Sequence, residues 1–419
     1  MNIENPQIFF YLTIIFGFMM AWGIGANDVS NAMGTSIGSK SITIRQAILI
    51  AIVFEFLGSF LAGSEVTTTI RKSIIEPSLF DHMPTVFILG MLASLLSSGI
   101  WLIIANFFGL PISTTHSIIG AIIGFGVATV GTAAINWNIV TSIVISWILS
   151  PVLGTIMAYG LFMSTQLLIF RKDNPILAAK KIIPIYILLS SWTIFMIICS
   201  KLHNIGININ MLGCIILATT LSITTTLIGK LLIYKLKLDP KLDCQFHYAN
   251  VERIFSILML FTACAMAFAH GSNDVANAIG PVAAIIDTLK EGKISNSSAV
   301  PLWILIMGAM GIITGLTTYG YKVIATIGSN ITYLTPSRGF SATLAAAITV
   351  VLASSTGLPI STTHTIVGGV IGVGLARGLH ALNINVIKSI FISWVITVPA
   401  GFLLSIVLFY VLQSLFNVP

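Results

Sequence analysis

Charge is what this chain has least of. Asp, Glu, Lys and Arg together make up 8% of its 419 residues, while hydrophobic types make up 56%. A soluble domain carries about a quarter charged residues, so an aqueous globular protein is excluded. Cysteine is scarce as well: Cys199, Cys214, Cys244 and Cys264 form no Cys-x-x-Cys pair and no zinc spacing, which removes a disulfide framework and a structural zinc site. The formal charge of +7 comes from Lys and Arg scattered through short loops. It lacks the basic stripe and interleaved aromatics that nucleic acid requires, so no nucleic-acid partner is expected. The amino-terminal run MNIENPQIFFYLTIIFGFMMAWGIG has no basic n-region and continues straight into a polar motif. It reads as a retained first span rather than a cleaved signal peptide.

What the chain has in abundance is apolar length. A helix crossing the hydrocarbon core needs about 17 to 25 apolar residues, and about twelve segments approach this. They lie near 7–24, 43–63, 85–107, 117–131, 139–169, 183–200, 211–236, 254–269, 299–326, 340–354, 364–379 and 386–415, the fourth, tenth and eleventh being short. The expectation is an all-α polytopic protein in the bilayer of a cell (inner) membrane. Most Lys and Arg fall in loops after odd-numbered segments, leaving Arg71, Lys72, Lys201, Lys290 and Lys293 to the alternate loops. The odd loops are then cytoplasmic and both termini extracytoplasmic. The polar stretch from Lys235 to Arg253 reads as the main cytoplasmic linker.

Two motifs occur twice. GLPISTTH runs from Gly109 to His116 and again from Gly357 to His364; GANDVSNAMG, from Gly25 to Gly34, returns as GSNDVANAIG from Gly271 to Gly280. The ISWILSP run at Ile145–Pro151 returns as ISWVITVP at Ile392–Pro399. The chain therefore divides into a first copy (1–170), a two-span connector (171–250) and a second copy (251–419). Corresponding segments differ by seven places, an odd number, so the copies sit upside down relative to each other. Such inverted repeats are a transporter architecture.

Each copy carries one carboxylate motif and one hydroxyl motif, and both are expected to break the helical pattern. Pro111 and Pro359 remove a backbone donor and break the helical pattern, giving re-entrant or broken helices at the midplane. A helix restarting there holds Ser113, Thr114, Thr115 and Ser361, Thr362, Thr363 in its first turn, where free N–H groups favour an oxyanion. Asp28 and Asp274 each cost about 2.5 to 3.5 kcal/mol at mid-membrane, and no Lys or Arg lies in either motif to offset this. A sodium ion or proton is the simplest compensation, with Asn27, Asn31, Asn273 and Asn277 offering amide oxygens. Gly120 with Gly124, and Gly368 with Gly372, suit close helix packing. His116 and His364 read as neutral imidazoles hydrogen-bonded to a neighbouring helix. His270 is given no general role, because Ile24 fills the matching place. Glu55 is a cavity residue or the partner of a neighbouring helix, and Arg71 and Lys72 read as a solvated pair.

GANDVSNA and GSNDVANA, the two PISTTH stretches and the SRGFSA run at Ser337 to Ala342 resemble the inorganic phosphate transporter family. The resemblance implies twelve spans, inverted repeats, and a secondary carrier importing inorganic phosphate in symport with sodium or a proton. It implies no catalysis and no resident cofactor, and a homodimer, since members are often dimers. It places Asp28 and Asp274 as cation ligands, a metal site if the cation is sodium, with Asn31 and Asn277 beside them. Phosphate falls to Asn27, Ser113, Thr114, Thr115, Asn273, Ser361, Thr362 and Thr363. Two rivals are a sulfate permease of the same fold and, more distantly, an intramembrane aspartyl protease using Asp28 and Asp274.

Overall fold

The computed structural model describes residues 6–202, 207–238, 248–292, 294, 300–320, 323–324 and 331–418. Lys293, Lys322 and much of the expected linker, with Lys241 and Cys244, lie outside the described residues. Within them the backbone is helical, and no strand forms beyond an isolated bridge between Ile75 and Ile135.

All twelve expected segments contain a helix. The first half holds α1 (Pro6–Ile24), α2 (Ser30–Gly38), α3 (Ile44–Ala62), the short α4 (Ser64–Thr68), α5 (Pro84–Phe107), α6 (Thr114–Thr129) and α7 (Trp137–Thr165). The connector supplies α8 (Pro175–Lys201) and α9 (Met211–Lys235). The second half holds α10 (Ala249–Asn273), α11 (Ala276–Glu291), α12 (Leu302–Tyr319), α13 (Pro336–Ser355), α14 (Thr362–Arg377) and α15 (Ile384–Leu415). Among the described residues ten helical stretches are long and apolar enough to cross a membrane. The protein is a multi-pass membrane protein. Helices α6 and α14 have 16 residues each and fall short of that length.

Two expectations about boundaries change. The tenth segment is not short: α13 has 20 residues because its polar first turn is stabilised, Glu252 accepting from Ser337 N at 2.8 Å and Ser337 Oγ at 2.7 Å. The carboxylate motifs do not break their helices outright. Gly25–Val29 forms a π-turn joining α1 to α2, and only Asp274 and Val275 separate α10 from α11, so the runs extend over 33 and 43 residues. Buried backbone groups need partners, and a near-continuous helix supplies them.

The halves interlock. Helix α6 packs on α15 and α14 on α7, with Gly120 and Gly124 facing the carbonyls of Val398 and Phe402, and Gly368 and Gly372 those of Pro151 and Thr155. A second exchange joins α1 to α12 and α10 to α3. Methyl groups on Gly25 or Gly315 would overlap the carbonyls of Ile312 or Trp22, and on Gly58 or Gly271 those of Phe268 or Glu55. The outward faces of α7, α9 and α15 are apolar, with Ile148, Leu231 and Val395 exposed.

Arg71 is not solvated. The π-turn after α4, Thr69–Ser73, docks on α11, where the buried Arg71 pairs with Asp287. Thr69 Oγ1 also donates to the Gly357 carbonyl at 2.8 Å, tying this turn to the second hydroxyl motif.

A Gly315→Ala substitution forces the α1–α12 crossing apart, and a loss of about 1–3 kcal/mol is expected. Gly160→Ala, whose added carbon meets nothing within 4 Å inside α7, causes no loss and should gain about 0.5–1 kcal/mol. Denaturant unfolding of the detergent-purified protein separates the two.

Candidate functional site

The hydroxyl motifs begin where helices are made to stop. Helix α5 ends on Gly109, whose φ of +65° closes a Schellman turn: Leu110 N donates to Ala105 O at 3.0 Å and Gly109 N to Asn106 O at 3.1 Å. Gly357 takes φ +76° after α13. From each glycine the chain runs extended through Pro111 or Pro359 to a new helix start. Ser113 and Ser361 cap those starts, accepting from His116 N at 3.2 Å and His364 N at 3.1 Å.

Asn27 and Asn273 hold these extended segments. Asn27 Nδ2 donates to Leu110 O at 3.0 Å and its Oδ1 accepts from Ile112 N at 3.2 Å; Asn273 Nδ2 donates to Ile360 O at 2.7 Å and its Oδ1 accepts from Ile360 N at 3.4 Å. The same amides also meet the polar cluster: Asn27 Oδ1 accepts from Asn31 Nδ2 at 3.2 Å, and Asn273 Nδ2 reaches Asp274 Oδ1 at 3.2 Å and Thr362 Oγ1 at 3.4 Å. Ser113 and Ser361 are likewise engaged as caps.

The threonines meet the carboxylates in a reciprocal pattern. Thr114 donates to Asp28 and Thr362 to Asp274, each within its own half. Across the halves, Thr363 Oγ1 donates to Asp28 Oδ1 at 2.8 Å and Thr115 Oγ1 to Asp274 Oδ1 at 3.2 Å. Asn31 Nδ2 then reaches Thr363 Oγ1 at 3.0 Å, and Asn277 Nδ2 reaches Thr114 and Thr115 Oγ1 at 3.1 Å. The aspartates are 2% and 1% exposed, so these donors replace water almost completely. The amide oxygens Asn31 Oδ1 and Asn277 Oδ1 are buried without a hydrogen-bond partner among the described residues. Two carboxylates and two free carbonyl-type oxygens, in matched places, make a donor set suited to hard cations.

Two residues join the site that sequence reasoning undervalued. His270 is fully buried, with Nε2 3.5 Å from Asp274 Oδ2 and Nδ1 3.4 Å from Glu55 Oε1. Asp28, His270 and Asp274 bring ligating atoms within 4.8 Å of one another. The spacing of His270 and Asp274, four apart on one helix face, was the available signal. Of the two motif histidines, His364 bonds to a neighbouring helix as expected and His116 does not. Both rings stack on indoles, His116 on Trp147 with centroids 3.8 Å apart and His364 on Trp394 at 3.5 Å. His364 Nδ1 lies 3.4 Å from Trp147 O, whereas neither ring nitrogen of His116 has a hydrogen-bond partner among the described residues.

Over residues 24–405 the chain matches the family described as the phosphate transporter family. A Haemophilus influenzae protein named "Putative phosphate permease" is 50% identical over 412 residues, covering 97% of each chain. A Thermococcus kodakarensis protein of the same designation is 46% identical over 414 residues and 99% of each chain. The solved structure titled "The sodium-dependent phosphate transporter" is 39% identical, with a TM-score of 0.89 over 97% of this chain and 99% of that one.

Thr363→Val deletes the hydroxyl shared by Asp28 and Asn31 and leaves buried polar atoms unmatched, at an expected cost of about 1–3 kcal/mol. Thr363→Ser keeps the hydroxyl and most of the stability. Equal unfolding midpoints for the two variants would contradict the geometry.

Proposed function

Because the chain belongs to the phosphate transporter family and is a phosphate transporter, we propose that it imports inorganic phosphate in symport with sodium by alternating access. Sodium is preferred over the proton because the similar solved structure is titled sodium-dependent. The observation that carries the reading is the reciprocal bonding of Asp28 and Asp274 by hydroxyls from both halves, beside the free oxygens of Asn31 and Asn277.

In this cycle sodium ions take the carboxylates and amide oxygens, offsetting their charge. Thr114, Thr115, Thr362 and Thr363 are then released to donate to phosphate, aided by the free N–H groups of the α6 and α14 starts. Hydroxyls and backbone donors hold an oxyanion without a fixed positive charge, so release stays easy. Ser113 and Ser361 act by capping and Asn27 and Asn273 by positioning, each one bond away from the anion. His270 and Glu55 hold Asp274 in place. The two halves are inverted copies that rock about the site, opening it to either face in turn. The carrier is a homodimer in the inner membrane with both termini outside. Sulfate is a poorer fit, because it has no proton to offer a carboxylate near neutral pH.

In proteoliposomes, an inward sodium gradient should drive phosphate uptake that replacement of sodium by choline removes and a pH step alone does not restore. Asp28→Asn and Asp274→Asn should each reduce it to background. Intact uptake in both variants would overturn the coupling, and equal competition by excess sulfate would overturn the substrate assignment.

A further inference from the structure

The reciprocity of the site fails at the matched pair of tryptophans. Trp147 on α7 and Trp394 on α15 occupy the same place in the two copies of the ISW run. Trp394 is 5% exposed and its Nε1 donates to the Pro111 carbonyl at 3.2 Å. The matching bond would run from Trp147 Nε1 to the Pro359 carbonyl. Instead Trp147 Nε1 is buried with no hydrogen-bond partner among the described residues. A buried indole N–H is normally satisfied, so an orphan beside a symmetric counterpart that is satisfied calls for an explanation.

The surroundings supply one. His116 and His364 lie edge to face with centroids 4.3 Å apart, so the four rings form one continuous stack behind the two helix starts. The stack borders a cavity of about 540 Å³ between α7 and α15, lined by both tryptophans, both histidines and Phe391. The indoles therefore have room on one side. Pro111 and Pro359 lie two residues before the caps Ser113 and Ser361, so a bond to either proline carbonyl fixes the start that presents the threonines.

We propose that Trp147 and Trp394 are alternating latches on the two proline-led helix starts. In the state described Trp394 holds the Pro111 carbonyl; in the opposite-facing state Trp147 holds Pro359 and Trp394 lets go. One indole bond is made in each state, so the exchange keeps the two states close in free energy, as a carrier requires. The inference rests on the alternating-access reading above and assigns a positioning role to two residues outside the ion and anion site.

Trp394→Phe removes the bond of one state and Trp147→Phe that of the other. In reconstituted full-length protein the apparent KM for phosphate at one membrane face should shift about two- to tenfold, in opposite directions for the two variants. The double variant, having lost both bonds, should return toward the wild-type value. Shifts in the same direction, no shift in either, or summed damage in the double variant would overturn the latch. A second measurement needs no variant: in protein labelled at the indole nitrogens, adding sodium and phosphate should move two of the seven indole N–H signals in opposite senses. Movement in one sense, or none, counts against the proposal. Uptake that remains sodium-driven while these tests fail removes the latch alone; wild-type protein without sodium-driven uptake removes the transport cycle and the latch with it.

Discussion

Two carboxylates must be kept inside an apolar molecule with no lysine or arginine paired to them among the described residues. Asp28 and Asp274 are almost wholly buried, and an acidic group in such a place is unstable unless fixed donors take over the role of water. Much of the surrounding architecture answers that demand. The prolines end helical pairing so that new helix starts can be aimed inward, the left-handed glycines turn the chain sharply enough to reach them, and the Ser-Thr-Thr clusters bring the hydroxyls. The donors are neutral, and that matters for function. An arginine would hold the carboxylates permanently, whereas a threonine hydroxyl can exchange one acceptor for another.

The same constraint explains why the two halves are interlocked rather than side by side. Each aspartate takes one hydroxyl from its own half and one from the other, so neither half completes a site alone. The glycine crossings of α1 with α12 and α10 with α3 let backbones touch, which brings the two motif helices close enough for this sharing. Tight backbone contacts also resist gradual deformation, and a carrier built from them moves between discrete arrangements.

Much of this was legible in residue order. Apolar length placed a helix in all twelve segments, most of them to within a few residues; α8 starts at Pro175, well before its expected start near 183, and α13 starts at Pro336 because Ser337 and Arg338 disguise a first turn that Glu252 stabilises from another helix. The threonines, Asp28, Asp274, Asn31 and Asn277 are gathered in one cluster. Asn27 and Asn273 belong to the same cluster and also hold the extended loops, since an amide can bond backbone at both ends. Arg71 appeared solvated because its partner Asp287 lies far along the chain. His270 appeared dispensable because the first copy lacks it; its work is to face Glu55 on α3 and Asp274 on its own helix.

Composition and repetition by themselves determined that this chain belongs in a membrane, that its helices lie where they do, and that polar groups occur in two matched sets. Those properties follow from local transfer free energy and local backbone chemistry, which act over a few turns of helix. Which oxygen faces which hydroxyl was decided only by tertiary packing: Thr363 reaches Asp28 across a separation of 335 residues, and Trp394 Nε1 reaches Pro111 while Nε1 of its counterpart Trp147 meets no acceptor among the described residues. Hydrogen bonds act over about 3 Å, so their pairing depends on how the helices cross, and no local pattern records that.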